Sequence, residues 1–170
     1  MAQGKFERAL NFSAGILLAF GCLSAVAMLL NVSADVIGRV FFNRPVNATI
    51  ELVENWYMVA ATFLPLAYVQ GARAHVSVDL VIRHLPERGR FILDVFAMAL
   101  TVAFLLGIVW TGADHAIEAT EGSEIVYATY FDLPVWPTRW FPVIACGAAA
   151  LFALLHLIQR LRRPVTNGTV

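Results

Sequence analysis

The run FSAGILLAFGCLSAVAMLLNVSADV at residues 12–36 decides the fold, because it is long, apolar and nearly free of charge. Three similar runs follow at residues 50–69, 91–113 and 140–158. Each run has about 19–25 residues, and a helix rises about 1.5 Å per residue, so each can cross a hydrocarbon core of about 30 Å. The sequence therefore predicts an all-α integral membrane protein with four transmembrane helices.

The composition supports a membrane protein. Hydrophobic residues make up 59% of the 170 residues and charged residues 14%, against about 25% charged residues in an ordinary soluble domain. The loops between the runs are too short for a separate soluble domain, so we expect residues 1–170 to form a single membrane domain. The formal net charge of +0 gives no indication of a nucleic-acid partner.

The basic residues predict how the chain is oriented. If the N-terminus is cytoplasmic, three of the 12 Lys and Arg residues, Arg39, Arg44 and Arg139, fall in outer segments, and the others in cytoplasmic ones. Because cytoplasmic loops of membrane proteins are enriched in Lys and Arg, both termini are predicted to be cytoplasmic.

A cytoplasmic amphipathic segment is predicted between spans two and three, at residues 71–90. Val78, Ile82 and Leu85 recur there at helical spacing beside several basic residues. We interpret the segment as a short helix on the inner membrane surface, in contact with anionic lipid headgroups. The alternation of apolar residues over 76–82 leaves a half-buried strand as the alternative.

Small residues at four-residue spacing predict where helices meet, since they let backbones approach closely in lipid. The best such ladder lies in span three and a second lies in span four; their members are Ala99, Ala103, Gly107 and Thr111, and Ala145, Ala149 and Ala153.

Local signals predict how several helices end or bend. Pro65 is expected to kink span two, and the helix of span three is expected to continue to Glu121 and end at Gly122. Asn47 or Thr49 is a candidate N-cap for span two. Asp35 and Arg39 are four residues apart, so a continuing helix would allow them to pair.

Ionisable residues are scarce inside the four runs. Asp35, Glu51, Glu54, Asp94 and Asp114 all fall near a predicted end, whereas a proton or cation carrier needs such a group at mid-membrane. The paired broken helices of a carrier's midplane site are also missing from the sequence pattern. These observations argue against an autonomous transporter, including a small multidrug exporter.

The sequence predicts no catalytic, cofactor-binding or metal-binding residue. A haem between two spans needs histidines deep in facing helices, but the four histidines fall in the cytoplasmic segment or at opposite membrane faces. Hydrolase, zinc and phosphate-loop motifs are absent. We interpret Glu51 and Glu54 as favourable charge in the first turn of span two, rather than as an acid–base pair.

Several short runs resemble, in the same order, those of one known family. They are RVFF at 39–42, EL at 51–52 with Trp56, ARAHVSVDL at 72–80 with LP at 85–86, and LPVW at 133–136 with WFP at 140–142. Together with the four-span plan, they are similar to the small membrane subunit of TRAP transporters, the DctQ type. The LPL run at 64–66 departs from this resemblance, because a glycine-containing stretch is expected there.

The resemblance implies a tripartite system in the bacterial cell inner membrane. A periplasmic binding protein would deliver a substrate, commonly an organic acid, to a large membrane subunit that carries it with sodium by an elevator motion. The present chain would be a multi-pass, non-catalytic scaffold for that subunit, in contact with membrane lipids. It would bind neither sodium nor another cofactor.

Six residues are candidates for structural or interface roles within this expectation. Arg39, Glu51 and Glu54 are predicted to stabilise the outer end of the bundle, and Arg73, His75 and Asp79 lie in the part of the cytoplasmic segment that carries the resemblance. The alternative function is a membrane anchor subunit of a redox enzyme.

Overall fold

The computed structural model describes residues 2–71, 87–127 and 132–162, and these are mostly helical. The first helix, α1, covers Ala2–Phe42. A second helical segment consists of α2 (Thr49–Leu52), a π-helical turn (Val53–Tyr57), α3 (Met58–Phe63) and α4 (Leu66–Gly71). Helix α5 covers Glu87–Glu121. A short antiparallel hairpin of β1 (Ile125–Tyr127) and β2 (Asp132–Pro134), then a 3₁₀ turn (Trp136–Arg139), lead to α6 (Trp140–Arg162).

Three helices in the described part of the chain are long and apolar enough to cross a membrane: Leu10–Phe42, Phe91–Glu121 and Trp136–Leu161. The predicted span at residues 50–69 is helical but interrupted by the π-helical turn and again at Leu64 and Pro65. Proline has no backbone N–H and its ring collides with the preceding turn, so the interruption falls where the sequence predicts a kink. Most of the predicted amphipathic segment, residues 72–86, lies outside the described residues.

Helix α6 forms the centre of the bundle. Its small residues Ala145, Ala149 and Ala153 are at most 2% exposed, which confirms the span-four ladder as a contact between helices. Cys146 and Ala150 extend this face toward Leu105 of α5. Ala145 also packs against the second helical segment. Because none of these side chains is large, neighbouring helices approach the α6 backbone closely.

Two glycines allow bulky rings to approach a helix backbone. A Cβ added at Gly21 of α1 would lie 2.8 Å from the ring carbons of Pro65. A Cβ added at Gly71 would lie 2.9 Å from the Phe152 ring. These contacts fix α1 and α4 against their neighbours, so the kink residue Pro65 also serves as a packing surface.

Helix α5 ends at Glu121, as the sequence predicts. The residue that takes the left-handed conformation is Ser123, with φ 47°, rather than Gly122. The N–H of Glu124 bonds to the carbonyl of Ala119, and that of Ser123 to the carbonyl of Thr120. This is the Schellman pattern, which satisfies carbonyls that the helix leaves unpaired.

The turn between α1 and α2 differs from the sequence prediction. The residue that precedes α2 is Ala48, with φ 59°, and it makes no side-chain capping bond. The Thr49 hydroxyl donates instead to the carbonyl of Val46 at 3.1 Å. The prediction that Asn47 or Thr49 caps this helix is therefore wrong, because the cap position is taken by Ala48 in a left-handed conformation.

Candidate functional site

A buried carboxylate organises the loop that joins α1 to α2. Asp35 is 6% exposed, and its Oδ2 lies 2.8 Å from the Arg39 guanidinium. Its Oδ1 accepts a hydrogen bond from the backbone N–H of Val46 at 2.8 Å. The predicted pairing of Asp35 with Arg39 is confirmed, and both carboxylate oxygens have partners, as a buried charge requires.

The same loop folds tightly onto the last turn of α1. The backbone N–H of Arg44 donates to the carbonyl of Gly38 at 3.1 Å, and a Cβ added at Gly38 would lie 2.7 Å from the Arg44 carbonyl oxygen. Glycine is therefore needed at position 38. No sequence pattern indicates this contact, because it depends on how the chain turns back at Asn43, where φ is 49°.

Glu51 and Glu54 follow this loop but take no part in its ion pair. Glu51 is half-buried and Glu54 is exposed. Within the described part of the chain, the salt bridges involve neither carboxylate. The structure thus brings Arg39 to Asp35 and leaves the proposed roles of Glu51 and Glu54 as predictions. Arg73, His75 and Asp79 lie outside the described residues.

The hairpin end of the bundle is held by polar contacts that span three elements. The Arg139 guanidinium binds both carboxylate oxygens of Glu124, at 2.8 and 3.0 Å. This hydrogen bonding, aided by the charge of Arg139, lowers the pKa of Glu124 below its ordinary value. The Trp140 indole donates to the Thr120 hydroxyl at 3.1 Å. Together these hydrogen bonds hold the end of α5 against the start of α6.

Trp56 connects the second helical segment to the same end. Its indole N–H donates to the carbonyl of Pro134 at 3.2 Å, and its ring meets Phe141 edge-on with centroids 6.2 Å apart. Such aromatic pairs contribute about 0.5–1.5 kcal/mol beyond their buried area. In the sequence, Trp56 belongs to the runs that carry the family resemblance, but nothing in them indicates these partners.

An ion pair joins α5 to α6 at the opposite end. The Arg160 guanidinium bonds to Asp94 at 3.0 Å and lies 5.3 Å from the centroid of the Phe91 ring. Both charged side chains are about one-third exposed. This contact accounts for Asp94, an acid near the predicted start of span three.

The small-residue ladder of α5 faces away from the chain. Its four members, Ala99, Ala103, Gly107 and Thr111, are all exposed. A Cβ added at Gly107 would meet no atom within 4 Å. The prediction that a helix meets this stripe is not borne out within the described chain, because α5 packs on α6 through its other side, around Leu105. We call these four residues the α5 stripe.

The α5 stripe is apolar apart from Thr111, and the hydroxyl of Thr111 is satisfied within its own helix. The Thr111 hydroxyl donates to the carbonyl of Gly107 on its own helix at 3.0 Å, so it needs no external partner. Large side chains beside it, Phe104 and Trp110, are 67% and 74% exposed. The surface resembles a helix–helix contact face that no part of the described chain covers.

Among the residues that the structure describes, no group of three His, Cys, Asp or Glu side chains is placed to hold a metal ion. The described polar side chains instead tie helices and loops together at the two ends of the bundle.

Comparison with known families shows what the chain is. Residues 28–163 match the family profile described as tripartite ATP-independent periplasmic transporters, DctQ component. The chain belongs to the DctQ family. The match covers both polar ends and all of the second helical segment, and the resemblance seen in the sequence is thereby confirmed. Neither the curated proteins nor the solved structures that were compared with the chain gave a match.

Membership of the DctQ family makes this chain a component of a membrane transporter. The alternative interpretation as an anchor for a redox enzyme receives no support from the comparison. The three apolar helices agree with a membrane protein.

Proposed function

We propose that this DctQ protein is the non-catalytic small subunit of a tripartite importer in the bacterial inner membrane. It supports a large sodium-coupled elevator subunit that receives organic acids from a periplasmic binding protein. The family match over residues 28–163 carries this proposal. It is also supported by three of the four ion pairs among the described residues, which lie near helix ends and hold helices or loops in place. In this proposal sodium binds the large subunit, and this chain holds no cofactor.

The proposed architecture has four spans within one membrane domain, with both termini cytoplasmic. The second helical segment, residues 49–71, would measure about 34 Å as a continuous helix, and it packs between α1 and α6. A membrane-impermeant maleimide tests the topology in a variant that lacks the native cysteines. We expect intact cells to label Asn47→Cys and Ser123→Cys, and to label Arg8→Cys only after permeabilisation. Labelling of Arg8→Cys in intact cells would contradict the topology.

Arg39, Glu51 and Glu54 are proposed to stabilise the outer end of the bundle, and Arg73, His75 and Asp79 to act in the cytoplasmic segment. The contribution of Arg39 is supported by its ion pair with the buried Asp35. Negative charge at Glu51 and Glu54 suits the first turns of a helical segment.

The α5 stripe is the surface that we propose for the large subunit. Two ladders of small residues have the same spacing; the ladder on α6 is buried in the chain, and the one on α5 is exposed. In lipid, a helix gains van der Waals packing only when another helix meets its small residues. In this proposal a transmembrane helix of the large subunit packs on the α5 stripe. The two subunits together then form a scaffold that is wider on the α5 side.

Co-purification with the large subunit tests both the function and the surface. The double variant A103L/G107L fills the α5 stripe and should reduce recovery of the large subunit at least fivefold. The matched control is G15L/A19L, which adds the same bulk to α1, where a Cβ at Gly15 meets no atom within 4 Å. If only the control G15L/A19L reduced recovery of the large subunit, the contact surface would lie on α1 and not on α5. Sodium-driven uptake by this chain alone in liposomes would overturn the scaffold function itself.

A further inference from the structure

A cleft of about 680 Å³ opens beside the loop that joins α1 to α2. Its wall consists of the last turn of α1, the loop itself and the first turn of α2, and its charged lining residues are Arg39, Arg44 and Glu51. Neither the family match nor the scaffold role assigns any ligand to this cleft.

Two of the charged groups have no ionic partner in the described part of the chain. Within the described residues, the salt bridges include neither the Arg44 guanidinium nor the Glu51 carboxylate. Arg44 is exposed and Glu51 is half-buried. The Arg39 side chain is 54% exposed and uses one nitrogen on Asp35, and a guanidinium has five N–H donors. The cleft therefore offers donors for an anion and an acceptor for a cation.

The charged residues that line the cleft are of both signs: Arg39 and Arg44 are positive and Glu51 is negative. Asp35 does not line the cleft, but it offsets the charge of Arg39 through their ion pair. A site with charges of both signs suits a zwitterion better than a free anion, since each end of the ligand meets an opposite charge.

The position of the cleft is that of a lipid headgroup. The apolar run at residues 12–36 ends about one turn before Arg39, so the cleft lies just beyond the predicted span, where the hydrocarbon core gives way to headgroups. Three apolar side chains at this end of α1, Val40, Phe41 and Phe42, are at least 70% exposed, and Ile50 on the lining of the cleft is 59% exposed. Acyl chains cover such side chains in a membrane.

We infer that the cleft binds the phosphoethanolamine headgroup of a membrane phospholipid. The phosphate accepts hydrogen bonds from Arg39 and Arg44, as guanidinium groups favour, and the primary ammonium donates to the Glu51 carboxylate. The bound lipid would then connect the loop that joins α1 to α2 with the surrounding membrane. This inference holds whether or not the chain supports a large subunit.

Native mass spectrometry of the delipidated full-length chain tests the inference, with any membrane partner that co-purifies retained. Phosphatidylethanolamine, phosphatidylglycerol and inorganic phosphate are titrated separately. We expect one phosphatidylethanolamine per chain, bound at least fivefold more tightly than phosphatidylglycerol. The variants R44Q and E51Q should each weaken that binding at least fivefold, because each removes one charge-assisted contact.

Matched controls separate this site from general attraction to charge. Arg8→Gln removes an exposed cation near the other end of α1, and Glu54→Gln removes an exposed carboxylate outside the cleft; neither should change the affinity. Equal binding of the two lipids, or unchanged binding in both R44Q and E51Q, would overturn the inference. If inorganic phosphate at equal concentration displaced phosphatidylethanolamine, the cleft would be a site for a free anion and the inference would be overturned. Circular dichroism verifies that each variant is folded, and the two variants are independent tests.

Discussion

The carboxylate of Asp35 accepts a hydrogen bond from the backbone N–H of Val46 at 2.8 Å, across eleven positions of the chain. It links the last turns of α1 to the loop before α2, while its other oxygen holds Arg39. The loop therefore depends on a buried charge within the helix that precedes it.

Removing this carboxylate should destabilise the chain. In Asp35→Ala, the N–H of Val46 and the guanidinium of Arg39 lose their partner, and hydrogen bonds to charged groups contribute about 1.5–3 kcal/mol. We expect the free energy of unfolding in detergent to fall by about 2 kcal/mol. The control Asp114→Ala removes an exposed carboxylate on α5 and should leave the stability unchanged. Equal stability of the two variants would show that the Asp35 contacts contribute nothing.

Gly21 should not tolerate even a methyl group. In Gly21→Ala, the added Cβ meets the Pro65 ring at 2.8 Å, and overpacking of this kind costs about 1–3 kcal/mol. Gly15→Ala is the matched control on the same helix, since its Cβ meets nothing within 4 Å. Thermal unfolding should show a lower midpoint for Gly21→Ala only. A midpoint raised equally in both variants would mean that α1 moves freely away from Pro65.

Acid should loosen the hairpin end of the bundle. Hydrogen bonding to Arg139 lowers the pKa of Glu124, so the pair stabilises the fold above the ordinary pKa of Glu, about 4.3. That stability is lost as the pH falls through the lowered pKa. Because the pair is partly exposed, with side chains 47% and 38% accessible, we expect an effect below about 1 kcal/mol.

Tryptophan fluorescence measures this transition, since Trp140 and Trp56 both lie at the hairpin end. The wild-type chain should show a step in emission in this acid range. Glu124→Gln cannot ionise, so it should lack the step and resemble the acid form at neutral pH. An identical step in Glu124→Gln would assign the transition to another carboxyl group.

The two ladders of small residues should respond differently to added bulk. Ala149→Leu inserts three heavy atoms where the alanine is 0% exposed, and we expect it to cost about 1–3 kcal/mol in the chain by itself. Ala99→Leu lies on the exposed α5 stripe and should change the stability by less than about 0.5 kcal/mol. Reversible unfolding in mixed micelles compares them. A large cost for Ala99→Leu would show that α5 is packed within the chain on that side.

Local sequence patterns determined much of this protein. The helical state of the long apolar runs, the interruption at Pro65, the end of α5 at Glu121 and the pairing of Asp35 with Arg39 follow from contacts within a few residues. Such features depend on residues that are close along the chain, and they need no contact between two helices. The ordered motifs also predicted the family, because short runs of residues carry the resemblance.

Only the tertiary structure decided which faces of these helices are used inside the chain. Spacing shows that the ladders on α5 and α6 can each pack closely, but it does not show which has a neighbour; α6 lies at the centre and α5 at the side. The contacts Asp35–Val46, Gly21–Pro65 and Trp56–Pro134 likewise join residues that are distant in sequence. The helical period shows which residues lie on the same face of a helix. Whether those residues are buried depends on which other segments of the chain pack against that face.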